Sequence, residues 1–356
     1  MDPTGEPHSA AYFNEQRSFW WNLDFLRLAA SRLELERVQS ALDVGAGLGH
    51  WTATLMEILP AQATVVGVER DPRWVANATE RTGQLGLTGR CTFVQGVAEA
   101  LPFEDQSFDL VSCQTLLIHV ADPTVVINEM RRVVRPGGRL LLSEPNNIAG
   151  MLVADSTTAR KPIPELVERI EFALICERGK AALGEGNNSV GDLLPGLLAH
   201  AGLIDIRCML NDKTDTLTPP YEPDDQKALR DAIISSAESA RWIWSREETQ
   251  RYFLAGGGND PEFEPRWQRR LDEARQTAQD LTANRLHTGG GGIHYLVSGR
   301  RPTQRADVPS SDGIGSTTAS SPRSAPRRTR PGDPAGTIRQ RRRGPGVSGG
   351  IDIRTR

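Results

Sequence analysis

The chain has 356 residues, of which 38% are hydrophobic and 24% charged, a composition typical of globular proteins. The formal charge is −3, but residues 301–356 contain twelve Arg and four Asp, which leaves −11 on residues 1–300. An acidic body argues against nucleic-acid binding by the body itself. Because no apolar run reaches the length of a membrane span and the first residues are acidic and polar, we expect a cytoplasmic protein.

The predicted elements begin with an amphipathic helix within residues 12–37, which would form an N-terminal cap over residues 1–37. Its apolar stripe repeats at helical spacing and consists of Phe19, Leu23, Leu26, Ala30 and Leu33. Tyr12, Trp20 and Trp21 add further aromatic side chains to this cap.

Short strands and helices then alternate through residues 38–146. The pattern predicts strands in "ALDV", "TVVGVE", "CTFVQG", "FDLVSCQ" and "RLLLSEP". Helices are predicted over about 50–59, from Asp71 to about Gly86, and from Asp122, where each Asp-Pro pair is typical of a capped helix start. Strands separated by single helices require a parallel sheet with helices on both faces, so the predicted class is α/β.

The rest of the chain departs from this alternation. We predict helical insertions at 150–190 and 213–290, separated by a short helix and a strand over about 204–210, and a last strand at 292–299. The main domain therefore covers residues 38–300. Residues 301–356 are rich in Pro, Ser, Gly and Arg and lack periodicity, so we expect a disordered basic tail.

The cysteine spacing indicates neither a disulfide framework nor a metal site. Cys91, Cys113, Cys176 and Cys208 lie far apart, with no CxxC pair and no neighbouring histidine pair at ligand spacing. We interpret them as reduced core thiols and predict that no metal is bound.

The segment "SALDVGAGLGHWT", residues 40–52, carries the clearest binding motif. It contains Gly45, Gly47 and Gly49, but His50 stands where a dinucleotide fingerprint has its third glycine. In an open parallel sheet, ligands lie beyond the carboxyl end of the first strand, where glycines let the backbone approach and the next helix presents N–H groups to an anion. Glu69 ends the second strand and is placed to accept both hydroxyls of a ribose, so the motif predicts an adenosine compound.

Over residues 38–145 the chain resembles the class I S-adenosylmethionine-dependent methyltransferases, in particular the branch similar to the ubiquinone and menaquinone biosynthesis methyltransferases. The resemblance rests on "LDVGAGLG", "VVGVERD", "GVAEALPFEDQSFDLV", "RRVVRPGGRLLLSEP" and the later "LLAHAGL", in that order. It implies a Rossmann-like, doubly wound, mostly parallel seven-stranded sheet. It also implies S-adenosyl-L-methionine as the cofactor and transfer of its methyl group.

The resemblance assigns the methionine end of the cofactor to the glycine-rich loop. Backbone N–H groups of Gly45, Ala46, Gly47 and Gly49 would meet the cofactor carboxylate. Asp43 would favour the cationic part, either directly or through the loop.

The adenosine end is assigned to the next two strand ends. In the family, the residue matching Glu69 binds the ribose hydroxyls and Arg70 would lie beside the adenine, while Val97, Ala98 and Glu99 would cover the adenine edge. Val97 departs from the family pattern, which often has Asp there to accept a hydrogen bond from the adenine amine. We expect a backbone carbonyl or a water to replace that bond.

The acceptor end offers several candidate residues. Methyl transfer requires aligned reactants in a dry pocket and, where needed, removal of a proton. His119, after the fourth strand, is our candidate general base, with packing or capping as the alternative. Gln114, nearer the strand end, is predicted to line the methionine pocket. Glu144 and Asn146, at the end of the fifth strand, could orient the acceptor or be solvated loop residues.

The additions to the core are expected to select the acceptor. In "ARWIWSREETQRYF", Trp242 and Trp244 lie two residues apart, so they cannot both face the core of one helix. Either one of them belongs to a lid over a hydrophobic acceptor, or both pack in an ordinary core; the insertion could equally cover a partner subunit. Asp109 in "SFDLV" is predicted to support the neighbouring strand and loop.

These patterns predict a methyltransferase that acts on a small apolar metabolite without metal, membrane or nucleic acid. A nicotinamide oxidoreductase is disfavoured because the chain has neither GxGxxG nor YxxxK. Two alternatives stay open: methylation of protein or nucleic acid with the basic tail as an electrostatic anchor, and a non-catalytic module that binds the cofactor only. The tail could also be a nonfunctional extension of the reading frame.

Overall fold

The computed structural model describes residues 14–152, 155–240 and 242–303, so Tyr12 and all but the first three residues of the predicted tail lie outside the described residues. The strands within these ranges are β1 Ser40–Val44, β2 Thr64–Glu69, β3 Cys91–Gln95, β4 Phe108–Gln114, β5 Val134–Asn146, β6 Ile204–Leu210 and β7 Ile293–Arg300. The α-helices are α1 Leu23–Arg32, α2 His50–Ile58, α3 Pro72–Gln84, α4 Pro123–Val133, α5 Asn147–Gly150, α6 Ile163–Ala182, α7 Leu194–His200, α8 Asp224–Glu238, α9 Arg246–Ala255 and α10 Asp260–Thr282.

The strands form one sheet in the order β3-β2-β1-β4-β5-β7-β6. All neighbouring pairs from β3 to β5 are parallel, and β7 runs antiparallel to both β5 and β6. This arrangement confirms the predicted α/β, mostly parallel, seven-stranded sheet. The strand order reverses between β1 and β4, and ligands bind at the carboxyl ends of the strands beside such a reversal.

Each face of the sheet buries its own apolar cluster. One face, here called the cap face, carries Ala41, Leu110, Leu141 and Leu296 and packs against α1, α2 and the segment before α1. The opposite face, here called the turn face, packs against α4, α7 and a short 3₁₀ turn at Leu117–His119. Because side chains alternate along a strand, each strand residue near the carboxyl edge belongs to one of these two faces.

The N-terminal cap differs from the single helix that the periodicity predicts. The chain instead forms a 3₁₀ helix at Asn14–Phe19, then α1, then a 3₁₀ turn at Leu35–Arg37. The helix is interrupted before α1, where Trp21 packs against Trp51 in the cap-face core. Leu26, Ala30 and Leu33 are buried as expected, whereas Phe19 and Leu23 are exposed.

The insertions build a second, aromatic core of their own. Trp242 and Trp244 lie in the loop between α8 and α9, and both pack with Phe172 of α6 and with α9 and α10. Of the two interpretations of this tryptophan pair, the structure agrees with ordinary core packing. Helices α6 and α9 also touch through their backbones, because a Cβ at Gly179 would overlap the Tyr252 carbonyl oxygen and a Cβ at Gly256 would overlap that of Ile175.

Two polar side chains fix the strand ends opposite the carboxyl edge. Asp109 accepts hydrogen bonds from the Gln39 and Ser40 N–H groups and pairs with Arg135, which is the supporting role predicted for it. Arg301, which the sequence assigns to the tail, donates to backbone carbonyls around the start of β5 and so packs with the main domain. None of the helices in the described ranges has the length and apolarity needed to cross a membrane.

Candidate cofactor and acceptor site

The glycine-rich loop between β1 and α2 has the left-handed backbone that its sequence predicts. Gly45 has a φ of +72°, and a Cβ there would lie 2.8 Å from Leu116 Cδ1, so a larger residue would be strained and would also collide with Leu116. Gly47 has a φ of +53°, and a Cβ there would meet no atom within 4 Å. The loop therefore borders open space at Gly47 and is closed at Gly45.

The backbone N–H groups of this loop are used to hold the loop itself. Gly45 and Ala46 donate to the Val68 carbonyl at 2.8 and 3.0 Å, and Gly49 donates to the Ala46 carbonyl at 2.8 Å. The Gly47 N–H donates to Glu69 Oε2 at 2.9 Å. We expected these N–H groups to meet a ligand carboxylate. The structure differs because the N–H groups of Gly45, Ala46 and Gly47 already donate to the end of β2.

Glu69 therefore ties the loop to the end of β2. Its Oε1 accepts from the Arg70 N–H at 2.7 Å and from the Asp71 N–H at 3.3 Å, and its Oε2 accepts from Gly47. The side chain is half-buried. Since a carboxylate can accept about four hydrogen bonds, capacity remains for a ligand hydroxyl.

Asp43, at the carboxyl end of β1, is buried on the cap face. Its Oδ2 accepts from Thr52 Oγ1 at 2.6 Å, while its Oδ1 is shielded from solvent and has no hydrogen-bond partner among the described residues. Burial raises the pKa of Asp43 to about 7, helped by the nearby charge of Glu69 and opposed by the bond from Thr52. A buried carboxyl with an unused oxygen is costly unless a cation or donor meets it.

Gln114 ends β4 on the same face. It is buried, and its Nε2 has no partner within the described ranges. Asp43 Oδ1 and Gln114 Nε2 give the site one unused acceptor and one unused donor. They lie at the ends of β1 and β4, on either side of the reversal point.

The three residues predicted at the adenine edge lie in the loop after β3. Val97 is 40% exposed, and its carbonyl accepts from the Ala100 N–H at 3.2 Å. Ala98 packs against the turn-face core, whereas Glu99 is exposed. Arg70 is exposed beside this loop, and Gln95 Nε2 donates to its carbonyl. No acidic side chain stands at position 97, as the sequence indicates.

The comparisons with known proteins match this arrangement. A family profile described as a methyltransferase domain covers residues 42–142. The ubiquinone/menaquinone biosynthesis C-methyltransferase UbiE of Enterobacter sp. (strain 638) is 31% identical over 199 residues, which are 56% of this chain and 75% of that relative.

The chain belongs to the class I S-adenosylmethionine-dependent methyltransferases. The cofactor is S-adenosyl-L-methionine, as the sequence predicts. The demethylmenaquinone methyltransferase of Shouchella clausii is 33% identical over 124 residues, 35% of this chain and 51% of that relative. An uncharacterized 37.1 kDa protein of a Streptomyces fradiae transposon is 38% identical over 108 residues, 30% of each chain. The chain thus spans about half or less of the length of these two relatives.

His119 of this methyltransferase lies on the 3₁₀ turn after β4 and is exposed. Glu144 of β5 holds the front of that turn, since its Oε1 accepts from the Leu116 and Leu117 N–H groups at 2.9 and 2.8 Å. Lys180 of α6 holds the back, because its Nζ donates to the Ile118 carbonyl at 2.6 Å. The turn that carries His119 is therefore fixed by two buried ionisable groups from different elements.

The sequence did not predict that Glu144 and Lys180 hold the turn that carries His119. Glu144 was predicted as a rim residue or a solvated one, yet it is fully buried, and burial raises its pKa to about 7. Burial also lowers the pKa of Lys180 to about 8. Asn146 accepts from the Ala149 N–H and caps α5. Among the described residues, no group of three or more His, Cys, Asp or Glu side chains could hold a metal ion.

Proposed function

We propose that this chain transfers the methyl group of S-adenosyl-L-methionine to a small apolar metabolite. The observation that carries the proposal is the pair of buried, unused polar atoms, Asp43 Oδ1 and Gln114 Nε2, beside the reversal point of the sheet. These two atoms fit a ligand that offers both a cationic part and a hydrogen-bond acceptor. When bound, the cofactor supplies a methyl group activated by its sulfonium.

The proposed cofactor contacts follow from the geometry. Asp43 stabilises the cationic methionine end, and Gln114 Nε2 donates to the same end. Glu69 accepts a ribose hydroxyl with the capacity left by its backbone donors. The loop at Gly45, Ala46, Gly47 and Gly49 shapes the site, and Arg70, Val97, Ala98 and Glu99 border the adenine. His119 stays the candidate base proposed from the sequence.

Two observations support a small apolar acceptor. Trp20 and Trp21 pack on the cap face, the face that also carries Asp43 and Gln114, which favours an apolar ligand. Two of the relatives are named for methylation in quinone biosynthesis. The acidic body, with −11 over residues 1–300, disfavours nucleic acid as the acceptor.

The test is transfer of labelled methyl from S-adenosyl-L-methionine in an extract of the source organism, with and without the protein. Protein-dependent label in the organic-soluble fraction is the expected outcome. Label in protein or nucleic acid would show that the acceptor is a macromolecule and not a small metabolite. Binding of the cofactor with no transfer to any fraction would favour the non-catalytic module.

A further inference from the structure

A second histidine lies at the carboxyl edge of the sheet, on the cap face. His294 of β7 pairs in register with Pro145, two residues beyond the pair Leu296–Ser143, and Ser143 pairs with Gln114 of β4. Paired residues and residues two apart share a face of the sheet. His294, Ser143 and Gln114 therefore lie on one face, in neighbouring strands.

The Ser143 carbonyl connects His294 to the end of β4. This oxygen accepts from the Thr115 N–H, next to Gln114, at 2.9 Å. The same carbonyl raises the pKa of the His294 ring, against the larger lowering by burial. Nε2 of His294 has no hydrogen-bond partner within the described ranges, and in a neutral ring with its proton on Nδ1 this nitrogen is a hydrogen-bond acceptor.

Aromatic side chains enclose this acceptor. The His294 ring lies 5.8 Å from the Trp20 ring and 5.6 Å from the Trp21 ring, centroid to centroid, and Trp21 meets it edge-on. Although His294 as a residue is half-buried, its Nε2 is shielded from solvent. The position is shielded from solvent and lined by aromatic rings, and Trp21 Nε1 and Ser143 Oγ are further buried polar atoms there without a partner among the described residues.

The charge around His294 restricts what can bind there. Burial and, to a smaller extent, the Arg17 guanidinium lower the pKa of His294 to about 4, so the ring is neutral at physiological pH. A protonated amine would be repelled by Arg17 and would offer a charge to an apolar enclosure. A neutral hydroxyl on an aromatic ring fits both the tryptophans and the free Nε2.

We propose that His294, rather than the candidate His119, is the catalytic base: its Nε2 binds an aromatic hydroxyl of the acceptor and takes its proton; this rests on the proposed function. The acceptor oxygen bonds to the methyl carbon, and the carbon–sulfur bond breaks with its electron pair remaining on sulfur. The hydroxyl proton passes to Nε2, and the imidazolium then releases it to water. A weak base suffices, because the hydroxyl becomes strongly acidic as the new bond forms. The reaction is therefore an O-methylation.

Phenol and toluene are matched probes for this site, since they share size and shape and differ in the hydroxyl. We expect the full chain with S-adenosylhomocysteine bound to prefer phenol over toluene about fivefold, the usual contribution of one neutral hydrogen bond. His294→Phe keeps a ring between the tryptophans and should remove this preference, whereas the matched control His287→Phe, at an exposed histidine outside the site, should retain it. Titration calorimetry, with and without S-adenosylhomocysteine, measures the affinities.

Nitrogen-15 NMR of the wild-type protein gives a second readout that needs no variant. Phenol should shift the His294 Nε2 resonance, and toluene should leave it unchanged. Equal affinities for the two probes in the wild-type protein, or a phenol preference that survives in His294→Phe, would overturn the role of His294. Failure of S-adenosylhomocysteine to bind would instead count against the proposed function, because the probe comparison is also made without it.

Discussion

Asp43 keeps a carboxyl group inside the protein where the positive charge of the cofactor is proposed to lie. Because its pKa is raised to about 7, Asp43 is largely neutral at lower pH, and a cationic ligand favours its ionised form. Binding of S-adenosyl-L-methionine should therefore release a proton, and affinity should rise from about pH 5 to about pH 7. Calorimetry in buffers of different ionisation enthalpy measures the protons released.

Two variants test whether Asp43 is the group that releases the proton. Asp43→Asn should weaken binding at pH 8 and remove most of the pH dependence, since its amide cannot ionise. Asp272→Asn changes an exposed carboxyl far along the chain and should leave both unchanged. The same proton release in Asp43→Asn as in the wild type would show that another group titrates.

Glu69 has two tasks, and a suitable variant can separate them. Glu69→Ala would free the Gly47 N–H and loosen the loop, whereas Glu69→Gln keeps an oxygen for that donor. Glu69→Gln should therefore lose about 1–3 kcal/mol of cofactor affinity, because a charge-assisted bond to the ribose becomes neutral, and should lower the melting temperature less than Glu69→Ala, because only the Arg70 and Asp71 N–H groups lose their acceptor. Glu104→Gln, on an exposed side chain, is the control. Unchanged affinity in calorimetry would contradict the ribose contact.

For single residues, the sequence is sufficient where the position along a strand determines the edge of the sheet at which the side chain lies. Asp43 and Glu69 end parallel strands beside the reversal point, so their spacing was sufficient to predict them. His294 could not be found in this way, because its surroundings come from Trp20 and Trp21, far away in the sequence, and from β5. A polar residue in the otherwise apolar "GIHYLVSG" was the available signal.

At the scale of elements, the His119 turn depends on the loop that follows α6. Gly186 has a φ of +94°, and a Cβ there would overlap the Ile118 carbonyl oxygen, which also accepts from Lys180. Gly184 has a φ of +73°, but a Cβ there would lie 3.9 Å from its nearest neighbour. The two glycines thus share a left-handed backbone and differ in the space around them.

Alanine at each position measures that difference. Gly184→Ala should cost about 1–2 kcal/mol of unfolding free energy, the strain of a left-handed residue with a side chain. Gly186→Ala should cost about 1–3 kcal/mol more, because the turn must move to make room. Urea unfolding of both variants provides the comparison. Equal losses of unfolding free energy would mean that the His119 turn moves aside for the added methyl group without a loss of stability.

Elements with strong local signals were predicted well. Asp71 and Asp122 cap α3 and α4 through the hydrogen bonds that their Asp-Pro sequences indicate. The N-terminal helix was predicted too long, since periodicity alone does not register that burying Trp21 against Trp51 interrupts it. Local pattern predicts where a helix forms, but tertiary packing decides where it ends.

For the molecule as a whole, Arg301 contacts the main domain although it lies beyond the predicted domain boundary at residue 300. Deletion of residues 304–356 removes eleven Arg and four Asp but keeps the Arg301 contacts. We expect this truncation to leave the melting temperature and cofactor affinity unchanged. Deletion from Arg301 should lower the melting temperature, because the carbonyls at the start of β5 lose their donor. Weaker methyl transfer after the shorter deletion would assign a function to the tail.

The fold class and the cofactor followed from the sequence because five motifs of one family occur in one order along the chain. The insertions were predicted only as helices. Their arrangement depends on pairings such as Trp242 with Phe172 and Arg266 with Glu168, which join segments far apart in the sequence. No local pattern encodes such pairings.

The backbone contact between α6 and α9 limits how this protein can vary. At Gly179 and Gly256 the two helices leave no space for a methyl group, and each glycine lies against a carbonyl of the other helix. Replacing either one alone pushes the helices apart and strains the contact at the other. The two positions therefore constrain the same crossing, and a side chain at either one requires both helices to shift.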